Sequence, residues 1–101
     1  MYGLMYNIVL TRQATKDAKK LEQAGLKDKA ASLLRIIKQN PFQNPPPYEK
    51  LKSYENTYSR RITIQHRLVY QVLPKDSSEK DVLNSPYQGI IKIIRMWTHY
   101  E

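Results

Sequence analysis

The chain has 101 residues, room for one compact domain over residues 1–101 but not for two independent cores. Its 17 Lys and Arg against nine Asp and Glu give a formal charge of +8, which favours nucleic acid or an acidic protein as partner. The absence of cysteine excludes disulfides, thiolate metal sites and thiol catalysis. With no apolar run near the roughly 20 residues that span a bilayer and no signal-peptide pattern, the expected setting is soluble and cytoplasmic, away from membranes.

Residues 4–10, LMYNIVL, are rich in strand formers and end at Thr11, which can cap a helix. From Arg12 to Ala24, Ala14, Ala18, Leu21 and Ala24 recur at helical spacing, and Gly25 stops the pattern. Leu26, Ala30, Leu33, Leu34 and Ile37 define a second helical stripe that Asn40-Pro41 ends, so the two segments predict a helical hairpin. Four prolines within residues 40–47 predict a stiff extended connector.

Residues 58–73 are dense in strand formers but too long for one strand of about five or six residues, which predicts a hairpin turning near Thr63–His66. Residues 74–89 are polar, broken by Pro74, Pro86 and Gly89, and read as a loop. Residues 90–100 return to a strand whose Ile90, Ile91, Ile93 and Ile94 suit the interior of a sheet. The expected fold is therefore α+β: an antiparallel sheet with a two-helix hairpin packed on one face, in the order β-α-α-β-β-β.

The polar groups that these strands can gather are Glu49, Lys50 and Lys52, Arg60 and Arg61, His66 and Arg67, and His99 with Tyr100. Cleavage of RNA by transesterification needs a base for the 2'-hydroxyl, cations for the phosphorane and an acid for the departing 5'-oxygen, and this set contains all three types without a metal or other cofactor. Each residue has a structural alternative. Glu49 among lysines suits a solvated surface carboxylate, and any single arginine suits a surface ion pair. Arg60 and Arg61 point to opposite faces, so at most one shares a site with Arg67. His66 falls at the turn, Trp97 suits the core, and Tyr100 can be a plug at the end of the sheet. The helix lysines suit a solvated face that adds to the field.

The segments Tyr48-Glu49-Lys50-Leu51-Lys52, Ser59-Arg60-Arg61-Ile62, His66-Arg67-Leu68-Val69-Tyr70 and the late His99-Tyr100 resemble the Txe/YoeB family of toxins from type II toxin–antitoxin systems, within the RelE-like superfamily. The resemblance covers nearly the whole chain and implies a RelE-like fold. It also implies a ribosome-dependent mRNA endoribonuclease that cuts the codon in the aminoacyl site without metal. By motif match, Glu49 would be the general base, Arg67 the phosphorane stabiliser and His99 the general acid. Tyr100 would orient the nucleotide or the scissile phosphate, and Arg61 and Lys52 would contact substrate. The partners implied are mRNA, ribosomal RNA and a cognate acidic antitoxin, with association of two copies left open. Noncatalytic alternatives are a ParE-like inhibitor on the same scaffold and a simple basic RNA-binding module.

The chain departs from the family pattern at three places. Glu101 follows the tyrosine that commonly ends members, Asn56-Thr57-Tyr58 stands where glycine and two aromatics are usual, and residues 74–89 are longer than a short hairpin loop.

Overall fold

The computed structural model describes residues 5–74 and 87–97 of the chain. Strand β1 (Met5–Leu10) leads through Thr11 into helix α1 (Arg12–Gln23). The Thr11 side chain accepts from Ala14 N–H at 3.0 Å and donates to the Ile94 carbonyl at 3.0 Å, while its backbone N–H reaches the Ile93 carbonyl at 3.0 Å. One residue thus caps a helix and ties its first turn to the last strand.

The first helix ends in a paired-carbonyl cap: Leu26 N–H donates to Leu21 C=O at 2.8 Å and Gly25 N–H to Glu22 C=O at 3.1 Å. Gly25 sits at φ +75°, the left-handed region that this reversal requires. Helix α2 (Lys27–Gln39) runs to Asn40, whose extended backbone precedes Pro41. After the proline connector come β2 (Tyr48–Lys50), β3 (Thr57–Arg61), β4 (Arg67–Pro74) and β5 (Tyr87–Arg95).

The α+β class, the helical hairpin after the first strand and the interior place of the last strand agree with the sequence reading, and two details correct it. The sheet has five strands in the order β1-β5-β4-β3-β2, the extra one being β2. At three residues β2 is too short to show a period of two in the sequence. The sheet is also mixed rather than wholly antiparallel: β1 pairs parallel with β5, whereas β2–β3, β3–β4 and β4–β5 are antiparallel. A parallel pair needs a long crossover, and the intervening helices and strands supply one. The β3–β4 turn spans residues 62–66, matching the expected position. The last strand starts and stops earlier than expected, and most of the anticipated 74–89 loop lies outside the described residues.

Both helices cover one face of the sheet. Ala14, Leu21, Leu33 and Ile37 meet Leu68, Tyr70, Ile91 and Ile93 in a single buried cluster. Within this core α1 carries one charge, Asp17, with no exposed surface. Its carboxylate accepts from Met96 N–H (2.9 Å), Trp97 N–H (3.2 Å), Arg95 Nε (3.2 Å) and Gln13 Nε2 (2.9 Å). Burial pushes the Asp17 pKa up, but the Met96, Gln13 and Arg95 hydrogen bonds together outweigh it and hold the group below its ordinary 3.8.

A carboxyl that is more acidic in the fold than in the unfolded chain stabilises the fold above its ordinary pKa, and the contribution disappears as pH falls through the folded value. Asp17→Asn is expected to cost about 2 kcal/mol at pH 7, because an amide offers N–H groups to a ring of donors. It should also flatten the fall in stability that sets in below about pH 5, read by denaturant titration at each pH. Gly25→Ala, although the added methyl meets open space, is expected to cost about 1 kcal/mol through backbone strain, seen as a lower denaturant midpoint with unchanged slope.

Candidate active site

Register places the candidate residues. Glu49 lies opposite Ser59, which lies opposite Val69, and Arg61 faces Arg67 one step along. Because side chains alternate along a strand, Glu49, Ser59, Arg61 and Arg67 share the face away from the helices, while Tyr58, Arg60, Leu68 and Tyr70 share the helix-facing side. The Arg67 guanidinium donates to Glu49 Oε1 at 3.0 Å. Together with Pro47, Tyr48, Ser59 and Arg61, this pair lines an open cavity of about 420 Å³.

The Glu49 side chain is 66% exposed and that of Arg67 21%. Such a solvated ion pair contributes under about 1 kcal/mol to stability. Its significance is geometric: a carboxylate and a guanidinium separated by 18 positions meet at one point on the uncovered face. Ser59 lies between Glu49 and Val69, buried, with its hydroxyl lacking a hydrogen-bond partner. Arg61 also lines a second, wider groove of about 640 Å³ with Lys29 and the turn residues Ile62, Thr63, Ile64 and Gln65. Arg61 thus borders both hollows, with Lys29 and Arg67 as the other cations of their linings.

Of the residues expected at the site, Glu49, Arg67 and Arg61 come together. Lys52 stands exposed in the turn after β2 and does not line the cavity. His99 and Tyr100 lie outside the described residues, as does Glu101. What is described of the approach to them is fixed from two sides. Asp17 grips residues 95–97, and the Trp97 ring stacks on His66 at 3.9 Å between centroids and 21° between planes. His66, expected to be structural or exposed, thereby joins the β3–β4 turn to the chain just beyond β5, with its buried Nδ1 unpartnered. Trp97 borders the core, half-buried.

Arg60, read as either a surface ion pair or a phosphate contact, is neither: it is 1% exposed. Its guanidinium donates to the carbonyls of Pro41 (2.9 Å), Gln43 (2.9 Å) and Pro46 (2.7 Å) and to the Tyr70 hydroxyl (3.1 Å). Asn56, at the position where the resembling family tends to carry glycine, has φ +56°, so the left-handed backbone persists with a residue that tolerates it. The signal for Arg60 was present in the alternation that separated it from Arg61. For Asp17 the only local hint was an acid on the small-residue side of a lysine-rich helix.

A family model described as "YoeB-like toxin of bacterial type II toxin-antitoxin system" matches residues 11–100. Among solved structures, the chain is similar to the YoeB dimer from Staphylococcus aureus, with 32% identity, TM-score 0.70, and coverage of 94% of this chain and 98% of that one. The YoeB–YefM complex from the same organism gives 33% identity and a TM-score of 0.67 over 94% and 98%. The archaeal RelE–RelB complex from Pyrococcus horikoshii OT3 gives 18% identity and a TM-score of 0.63 over 92% and 93%, a likeness of fold. No curated protein sequence matches the chain significantly.

A double-mutant cycle on stability with Glu49→Gln and Arg67→Met is expected to give a coupling under about 1 kcal/mol that fades with added salt, as a solvated pair should.

Proposed function

Because the chain belongs to the YoeB-like toxins of bacterial type II toxin–antitoxin systems, we propose that it is an mRNA endoribonuclease acting in the cytoplasm on the codon held in the ribosomal aminoacyl site. The observation that carries this reading is the Glu49–Arg67 contact of 3.0 Å inside a cavity that Arg61 also lines, on the sheet face free of helices. An inhibitor that only binds needs no carboxylate held against a cation in a hollow.

In the proposed reaction the Glu49 carboxylate takes the proton of the ribose 2'-hydroxyl, and that oxygen attacks the adjacent phosphorus. Arg67, drawn from Glu49 to the incoming phosphate, stabilises the negative charge on the pentacoordinate phosphorane, with Arg61 beside it. His99 gives its proton to the departing 5'-oxygen. The P–O5' bond breaks, leaving a 2',3'-cyclic phosphate and a 5'-hydroxyl. Tyr100 orients the nucleotide, which an aromatic ring can do with any base by stacking. Lys52, outside the cavity, serves as a contact to the RNA backbone or ribosomal RNA, together with the exposed lysines of α1.

The charge of +8 suits both an RNA target and an acidic antitoxin that silences the enzyme by covering the basic face. The S. aureus relative in complex with YefM supports a partner of that kind, and its dimer supports self-association.

Cleavage of translated mRNA in a purified system tests the proposal. Glu49→Gln and His99→Gln are each expected to slow cutting about 10²- to 10⁴-fold while ribosome binding persists. Arg67→Met should lose rate on a similar scale through the missing charge on the phosphorane. Growth arrest at parental strength by Glu49→Gln and His99→Gln, without cut mRNA, would assign the protein to the noncatalytic inhibitors.

A further inference from the structure

The proline connector has a physical difficulty that the fold must solve. Pro41, Pro45, Pro46 and Pro47 have no backbone N–H, so this stretch cannot stiffen itself with a ladder or helix of its own hydrogen bonds. Yet it leads directly into β2, a three-residue edge strand that carries Glu49 and pairs with β3 at only three positions. So short a strand holds its own place weakly.

Beyond the connector's own Gln43, which bonds the Asn40 and Pro45 carbonyls, most of the donors come from one side chain. Arg60, projecting from β3 on the helix-facing side, donates to the carbonyls of Pro41, Gln43 and Pro46, which span the connector from end to end. Tyr70, on the neighbouring strand, accepts from Arg60 Nε at 3.1 Å and donates its O–H to the Pro41 carbonyl at 2.7 Å. Burial raises the Tyr70 pKa, against the opposing effect of Arg60, so the phenol stays a donor. The guanidinium also lies over the Tyr48 ring at 5.0 Å, touching the residue beside Glu49. No carboxylate contacts Arg60 among the described residues. A buried cation whose hydrogen bonds go to three carbonyls and a phenol, with no carboxylate beside it among the described residues, is held in place only by bonds of good geometry.

We propose that Arg60, with Tyr70, is a positioning residue for Glu49: it fixes the proline connector so that β2 delivers the carboxylate to the cavity on the opposite face. Arg60 never meets the RNA, because the sheet lies between its guanidinium and the cavity. This inference rests on the reading of Glu49 as the general base. Lysine at position 60 keeps the charge but offers a single nitrogen in place of a planar fork, so it cannot bond three carbonyls and a hydroxyl in the same geometry.

The test is a double-mutant cycle on single-turnover cleavage of ribosome-held mRNA, with the toxin at saturating concentration. Arg60→Lys is expected to slow cutting about 10- to 100-fold, the scale of a small misplacement of a catalytic group, while affinity for the ribosome changes less than about twofold. In a Glu49→Gln background the same substitution should cause no further loss, and amide exchange at Gln43, Tyr48 and Glu49 should quicken in Arg60→Lys. Tyr70→Phe, which removes one hydroxyl and keeps the ring, should give a milder loss of about 3- to 10-fold and the same lack of additivity. It serves as the test if Arg60→Lys does not fold.

Effects of Arg60→Lys and Glu49→Gln that multiply, or a parental rate in Arg60→Lys and in Tyr70→Phe, would overturn the inference and leave Glu49 as base untouched. A parental rate in Glu49→Gln alone would instead overturn the assignment of the base, and this inference with it.

Discussion

One buried carboxylate organises this molecule. Asp17 has no exposed surface and accepts from two backbone N–H groups, an arginine and a glutamine, three of these donors lying about eighty positions along the chain. Removing a carboxylate from water is expensive, and four donors recover that cost only if the end of β5 is held against α1. The Thr11 hydrogen bonds to Ile93 and Ile94 act on the same stretch from the cap of that helix, six residues before Asp17. Docking of the helical hairpin and the exit of the last strand are consequently one event. The path towards His99 and Tyr100 starts from a rigid point, with Trp97 stacked on the turn that precedes Arg67.

The two faces of the sheet divide the labour. The covered face holds the apolar cluster together with the Arg60–Tyr70 hydrogen bonds to the proline connector. The open face carries the Glu49–Arg67 pair and Arg61. Alternation along β3 sends adjacent arginines to these different duties, one into the protein and one into the cavity. A pair of identical residues thus has a buried, backbone-binding member and a solvent-facing one, a division that charge counting cannot reveal.

Much of this was legible in the sequence because it depends on local rules. Thr11, Gly25 and Pro41 punctuate the two helices through capping and lost donors, and of the predicted second stripe Ala30, Leu33 and Ile37 are buried while Leu26 and Leu34 pack half-buried against the core. The hairpin turn at residues 62–66 and the meeting of Glu49 with Arg67 also followed, the second from motif resemblance more than from the chemistry of either residue. What escaped was governed by distant partners. Three residues of β2 leave no periodic trace, and the parallel pairing of β1 with β5 is decided by the route of everything between them. Asp17 and Arg60 are charged residues that ordinarily face water, and only their partners, far along the chain, make them core residues. His99 and Tyr100 were read from their motif, and they lie outside the described residues.

The strand order has a consequence for synthesis. The interior strand β5, flanked by β1 and β4, is also the last of the described strands to be made. A nascent chain can assemble the β2–β3–β4 meander early, but β1 has no neighbour and Asp17 no donors from beyond β5 until residues 87–97 have left the ribosome. Late closure of so many remote contacts slows folding and leaves apolar surface open meanwhile. A polypeptide of this topology therefore cannot mature piecemeal during translation: β1 and the helices stay unlatched from the sheet until β5 has emerged.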